Sequence, residues 1–214
     1  MQSSRQKKVA VIVAHPDDET LWAGGTLLSH PEWACFIACI CRAGDTDRAP
    51  RFATVLQALG ATGKMADMDD GPEQAPLSVP AVAEQVLRLL PCTQFDLIIT
   101  HNICGEYTRH RRHEEVSEAV FQLWQDRRLS SPELWFFAYQ DGNRSHFPLA
   151  DPTADFYLSL PAGIYQQKKA LITDIYGFSQ DSWEAKITPS AEAFRTFSTV
   201  AEAAQWLNRN RILP

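Results

Sequence analysis

Two short clusters of ionisable residues hold the types and spacings that chemistry needs. In His15-Pro16-Asp17-Asp18-Glu19 an imidazole and a carboxylate stand three positions apart in a turn, so both can bind one metal ion through ring nitrogen and carboxylate oxygen. Asp17 between them is left to act on water. His110-Arg111-Arg112-His113 offers two further imidazoles, either of which can complete the set. Two histidines and one carboxylate leave an open position on zinc, the pattern of hydrolytic rather than structural sites, where the ion acidifies water and polarises a carbonyl. Each cluster also has a plainer reading. Aspartates before a helix serve as caps and suit its dipole, the two histidines fit the charged start of a surface helix, and Asn102 to Tyr107 fits a turn. Their joint occurrence after two apolar strands favours a site.

The elements that must position these residues alternate. Lys8 to Ala14 is a β-branched run of the kind buried on both faces of a parallel sheet, and it ends at His15. A helix is expected from Thr20 to Ser29, a strand from Cys35 to Ile40, and a helix from Arg51 to Leu59 stopped by Gly60. Met65 to Pro80, rich in Asp, Gly and Pro, reads as a loop, and Val79 to Leu90 as a helix. Phe95 to Thr100 is a third strand, again ending in a histidine, His101; Glu114 to Asp126 reads as helix, Glu133 to Tyr139 as strand, and Ala193 to Asn210 as a terminal helix. The pattern predicts an α/β fold, Rossmann-like, with a mostly parallel sheet flanked by helices. In such sheets ligands bind outside the carboxyl ends of the strands, where both clusters fall.

At 214 residues the chain fits one domain, 1–214, which buries roughly 70% of its unfolded surface without disulfide staples. Twenty Lys and Arg against 26 Asp and Glu give a net charge of −6, which argues against a nucleic-acid partner. No run approaches the ~20 apolar residues of a membrane span, and the apolar stretch before His15 is too short for a signal segment. The five cysteines lack metal-site spacing and read as reduced thiols, so a cytoplasmic location is expected.

His15 to Glu19 after an apolar strand resembles the AHPDDE signature of the PIG-L/LmbE-like deacetylase family, and the likeness continues through Trp22-x-Gly24-Gly25-Thr26-Leu27. Thr100-His101-Asn102-x-x-Gly105-Glu106-Tyr107-x-x-His110-x-x-His113 resembles the family's second motif. Asp45 to Gly60, Asp69-Asp70-Gly71, and Lys168 to Gln180 resemble further elements, so the likeness runs over about residues 8 to 182. It implies an enzyme that removes an acetyl or other acyl group from the amide nitrogen of a sugar such as N-acetylglucosamine or its conjugate. It implies zinc ligands His15, Asp18 and His113, with Asp17 as general base. His110 would stabilise the oxyanion or protonate the departing amine, and Arg48 and Tyr107 would contact substrate. Fe(II) or Co(II) suit the same donors. The implied partner is a small-molecule substrate; other N-acyl metabolites, or sugar or nucleotide binding without catalysis, are the competing readings.

Two features depart from the family. Arg111 and Arg112 stand between the histidines where the family often has an acidic residue, and Thr108-Arg109 replaces a glycine. From these we expect a positively charged substrate mouth formed by Arg109, Arg111 and Arg112, suited to an anionic substrate. Glu19 is expected to accept hydrogen bonds rather than bind metal. Trp22 fits either pocket or core, and Tyr139 to Asn143 is expected to reach the site from another loop.

Overall fold

The computed structural model describes residues 5–107 and 109–210. Among these, β1 (Lys8–Val13), α1 (Asp18–Ser29), β2 (Ala34–Cys41), α2 (Arg48–Ala58), β3 (Thr62–Met68), α3 (Val79–Leu89), β4 (Leu97–Thr100), α4 (Arg111–Gln125) and β5 (Leu134–Phe137) follow in turn. A hairpin of β6 (Tyr139–Gln140) and β7 (Leu149–Ala150) comes next, then β8 (Phe156–Ser159) and α5 (Ala162–Ala170), which a π-helical turn at Leu171–Ile175 prolongs. The chain closes with α6 (Trp183–Ile187), β9 (Ala191–Phe197) and α7 (Val200–Asn210).

Seven strands form one sheet in the order β3-β2-β1-β4-β5-β9-β8; the first five run parallel, and β9 pairs antiparallel with both β5 and β8. Alternation along β1 explains its all-apolar sequence. Val9, Val11 and Val13 pack towards Leu21, Trp22 and Leu27 of α1 and Phe52 and Val55 of α2. Ala10 and Ile12 face the other way, with Val82 and Val86 of α3 and Val116 and Val120 of α4. Both faces of a parallel sheet are thereby covered by helices. The chain leaves β1 for β2 on one side, while β4 pairs on the other, so the order reverses between β1 and β4; their carboxyl ends are the fold's crevice.

Two expectations are corrected. Thr62–Met68, placed partly in a loop, is strand β3: a sheet edge, half in water, with only Ala66 buried. Ala191–Phe197, placed in the terminal helix from Ala193 onwards, is β9, inserted between β5 and β8. Its buried Glu192 disguises the alternation; the carboxylate accepts hydrogen bonds from the Gly25 and Thr26 amides and the Thr26 hydroxyl, and pairs with buried Lys168 at 2.7 Å. No helix among the described residues is long and apolar enough to cross a membrane. The five cysteines are free thiols, three of them buried.

Candidate metal centre and its cavity

The turn after β1 presents the first cluster. Asp17 occupies the cap position of α1 at φ 123°, a left-handed conformation that costs a non-glycine residue of order 1–3 kcal/mol. Its side chain makes no cap hydrogen bond. Oδ2 instead accepts from Arg48 Nη1 at 3.1 Å, and the backbone N–H donates to Glu19 at 3.2 Å. Glu19, wholly buried, also accepts from the Thr20 and Tyr176 hydroxyls. Arg48 lies over the Phe178 ring at 4.1 Å. The plain reading of Asp17 as a cap thus fails, and Glu19 is the acceptor expected of it.

The loop after β4 brings the second cluster. Gly105 takes φ 75°, which turns the chain back so that His110 sits at the cap of α4 and His113 in its first turn. Three atoms then converge: His15 Nδ1 lies 3.2 Å from Asp18 Oδ2 and 3.2 Å from His113 Nε2, and those two are 3.3 Å apart. The centre of such a triangle is about 1.9 Å from each corner, so an ion a little out of its plane meets zinc's distances of roughly 2.0–2.1 Å to nitrogen and oxygen.

The outer atoms of both rings fix their tautomers. His15 Nε2 is 3.1 Å from Asp70 Oδ1, and His113 Nδ1 is 2.5 Å from Glu106 Oε2. Each carboxylate can accept its ring's outer N–H, so that on loss of the inner proton the opposite nitrogen offers its lone pair to an ion at the centre, the usual support for metal-binding histidines. Burial disfavours charge on His15, yet the facing Asp18 and Asp70 hold it up to about 8. Burial also raises Asp18, but His113 and His101 outweigh it and hold its carboxyl well below the usual range. A centre of lone pairs that draws positive charge fits a cation.

His101, fully buried, lies beneath. Its Nε2 accepts the Ala14 N–H at 2.9 Å and Nδ1 faces Glu106, so its lone pair is taken although it clusters with Asp18 and His113. His110 stacks on His113 at 4.3 Å, and its buried Nδ1 has no hydrogen-bond partner among the described residues. Burial, with His113 and His15 beside it, pushes His110 down to about 3, so it is neutral. Burial together with the Asp18 and Glu19 carboxylates pushes Asp17 up.

A cavity of about 580 Å³ opens over the centre, lined by His15, Asp17, Asp18, Arg48, Tyr107, His110 and His113, with Arg42, Asp70, Gln74 and Trp183 around them. The two clusters and Arg48 and Tyr107 therefore meet as expected. The positively charged mouth does not form. Arg112 is fully buried, bound to Asp69, Glu115 and the Ala75 carbonyl; Arg111 bonds the Gln74 carbonyl and Arg109 pairs with Glu114 outside the cavity. Trp22 is core, its indole N–H donating to Asp18 Oδ1 at 3.2 Å. Tyr139 to Asn143 does not line the cavity; Tyr139 donates to the Trp22 carbonyl. Glu106 and Asp70 lay within the quoted motifs, but their orienting roles emerge only from the fold.

These features define a doubly wound α/β protein with a two-histidine, one-carboxylate centre at the reversal of its strand order. Solved structures share the fold. N,N'-diacetylchitobiose deacetylase from Pyrococcus horikoshii aligns with TM-score 0.65 and 17% identity over 90% of this chain and 84% of its own. GalB, the 4-carboxy-2-hydroxymuconate hydratase of Pseudomonas putida KT2440, aligns with TM-score 0.61 and 16% identity over 89% and 96%. The zinc inhibited form of teicoplanin deacetylase Orf2 aligns with TM-score 0.57 and 12% identity over 84% and 90%. The fold is thus the one implied by the PIG-L/LmbE-like resemblance. The sequence matches no family model. It is 24% identical over 149 residues to the uncharacterized protein L374 of Acanthamoeba polyphaga mimivirus, and the chain spans 62% of that relative's length.

Proposed function

We propose that the chain is a PIG-L/LmbE-like, metal-dependent N-deacylase, one domain over residues 1–214, acting on an N-acylated sugar or sugar conjugate. One observation carries this reading: the triangle of lone pairs from His15, Asp18 and His113 has beside it a carboxylate, Asp17, that neither caps its helix nor belongs to the triangle. The deacetylases that share the fold support it. Zinc suits the donors, as do Fe(II) and Co(II); the bound ion supplies Lewis-acid polarisation of the carbonyl and acidifies water. Free thiols fit a cytoplasmic enzyme.

Asp17 takes the proton of the attacking water as the new C–O bond forms, and returns it to nitrogen as the C–N bond breaks. Burial and the neighbouring Asp18 and Glu19 carboxylates raise its pKa, which makes it a stronger proton acceptor than a free carboxylate. Arg48 holds the Asp17 carboxylate and extends to substrate hydroxyls, and Tyr107 backs the sugar ring. Being neutral, His110 acts as a hydrogen-bond donor to the oxyanion rather than as a charged acid. The test is acetate release from N-acetylated sugars, nucleotide sugars and thiol-sugar conjugates by wild type and Asp17→Ala, with and without added zinc. Metal-dependent release that vanishes in Asp17→Ala at unchanged metal content supports the reading; absence of metal binding sinks it. GalB's fold motivates a second reading, hydration of an activated double bond by the same centre. That reading prevails if no amide is cleaved and an unsaturated carboxylate is hydrated.

A further inference from the structure

Residues 69–78 join β3 to α3 without regular structure, yet Asp70, Gly71, Pro72 and Gln74 among them line the cavity. Within this segment the chain makes one turn, with the Gln74 N–H donating to the Gly71 carbonyl at 3.0 Å and Gln74 at φ 39°. A connection of this kind owes its place to bonds made with the rest of the molecule. Asp70 has to be placed closely, because its Oδ1 faces His15 Nε2 at 3.1 Å. Arg42 grips Oδ2 through Nε at 2.8 Å and Nη2 at 2.6 Å, but from an exposed position where water competes.

A second grip comes from α4. Arg112 is fully buried and directs its guanidinium at the segment: Nε donates to the Asp69 carbonyl at 2.6 Å, and Nη2 to Asp69 Oδ2 at 3.1 Å and the Ala75 carbonyl at 2.9 Å. Nη1 donates to Glu115 Oε2, and Oε1 of the same carboxylate accepts the Leu77 N–H at 2.9 Å. Arg111 adds a bond to the Gln74 carbonyl. The backbone is thus held at Asp69, Gln74, Ala75 and Leu77, on both sides of the cavity-lining turn. The next residue along the helix, His113, turns Nε2 to the metal triangle. One turn of α4 therefore carries a metal ligand and the anchor of the carboxylate behind another. A buried ion pair is by itself weak evidence of a contribution to stability. Three of the four acceptors of Arg112 lie in the segment rather than in its own helix, which favours a role in placing it.

We propose that Arg112 is a positioning residue for the metal centre: with Glu115 it fixes the 69–77 segment to α4, keeps Asp70 against His15 Nε2, and thereby sustains metal affinity. This rests on the metal-centre part of the deacylase reading and is independent of the substrate. Arginine suits the task because its planar fork reaches several acceptors at once, whereas lysine is a point donor and methionine has none. An ion pair that served stability alone would lower affinity by the same factor whether or not residue 70 keeps its carboxylate.

The experiment measures zinc affinity, by competition with a chromophoric chelator, for wild type, Arg112→Met, Asp70→Asn and the double variant, and amide hydrogen exchange of the metal-free proteins. Arg112→Lys is carried alongside in case methionine prevents folding, judged by circular dichroism. The expected result is an affinity about tenfold lower in Arg112→Met and about 10- to 100-fold lower in Asp70→Asn. The double variant should fall less than about twofold below Asp70→Asn, because the staple acts through that carboxylate. The Leu77 amide should exchange faster in Arg112→Met and stay protected in Asp70→Asn. Affinity within about twofold of wild type in Arg112→Met, or in Arg112→Lys if only that variant folds, overturns the proposal. So does wild-type affinity in Asp70→Asn, a further loss of about tenfold in the double variant, or unchanged Leu77 exchange. Wild type that binds zinc but cleaves no amide sinks the deacylase reading alone; wild type that binds no zinc overturns both.

Discussion

Replacing Glu106 by glutamine alters little in shape but breaks a ledger of protons. The carboxylate accepts the His113 Nδ1–H at 2.5 Å and the Asn102 N–H at 2.9 Å, with His101 Nδ1 at 3.1 Å, all in complete burial. Burial pushes Glu106 up, but the imidazoles of His101 and His113 prevail and hold it down to about 2, so two acceptor oxygens are always present. Glutamine offers one oxygen and one NH2. If the NH2 faces His113, the ring keeps a partner only by moving its proton to Nε2, which points that N–H into the lone-pair triangle. Loss of such an orienting carboxylate lowers metal affinity about 10- to 100-fold, or about 1.4–2.7 kcal/mol. If the oxygen faces His113 instead, the Asn102 N–H is stranded and the metal-free fold loses about 1–3 kcal/mol. Competition against a chromophoric chelator and urea unfolding of metal-free protein measure the two costs. Affinity within twofold of wild type, together with unchanged metal-free stability, would refute the tautomer argument.

Three further outcomes are expected. Asp70 is held down to about 2 from 3.8: burial opposes this, but His15 and Arg42 win. The unfolded chain therefore binds the proton first on acidification, and this stabilisation, complete above about pH 4, is lost as pH falls through 2; acid titrations of metal-free protein should show a shallower fall in Asp70→Asn over that window. Glu192→Ala leaves two amides, a hydroxyl and the Lys168 ammonium without an acceptor, whereas Lys168→Met leaves Glu192 three donors. Urea unfolding should give a loss of about 4–5 kcal/mol for the first and about 1–2 kcal/mol less for the second. Arg112→Ala should lower stability by about 3–5 kcal/mol in calorimetry, since it strands the Asp69 and Ala75 carbonyls and Glu115. Relative rates on neutral and phosphorylated substrates should stay unchanged.

The centre was legible because each participant falls in a short local pattern. His15 and Asp18 share one turn, His110 and His113 share one helix start, and β-branched runs mark β1 and β4. What stayed hidden depends on distant pairing. Asp70 meets His15 across 55 residues, and Arg112 resembles a surface charge until Asp69 and Glu115 close around it. Strand β3 was obscured because a half-wet edge needs few apolar residues, and β9 because a fully paired Glu192 occupies a core position. Phe147 and Trp183 lie 36 residues apart in segments without a motif, and only the fold brings their ring centres to 5.4 Å.

The left-handed Asp17 is braced from outside its own half of the chain. The triangle draws on residues 15 to 113, but the two groups that grip Asp17 are themselves held by Tyr176, through Glu19, and by Phe178, beneath Arg48. These follow the π-helical turn at Leu171–Ile175, an uncommon geometry often found near functional sites. On the proposed reading, loading with metal and competence to turn over are therefore separate properties of this molecule. That reading predicts that a lesion near residues 171–178 gives preparations that carry a full complement of metal and yet are inert, and metal content measured beside activity in such a variant checks it.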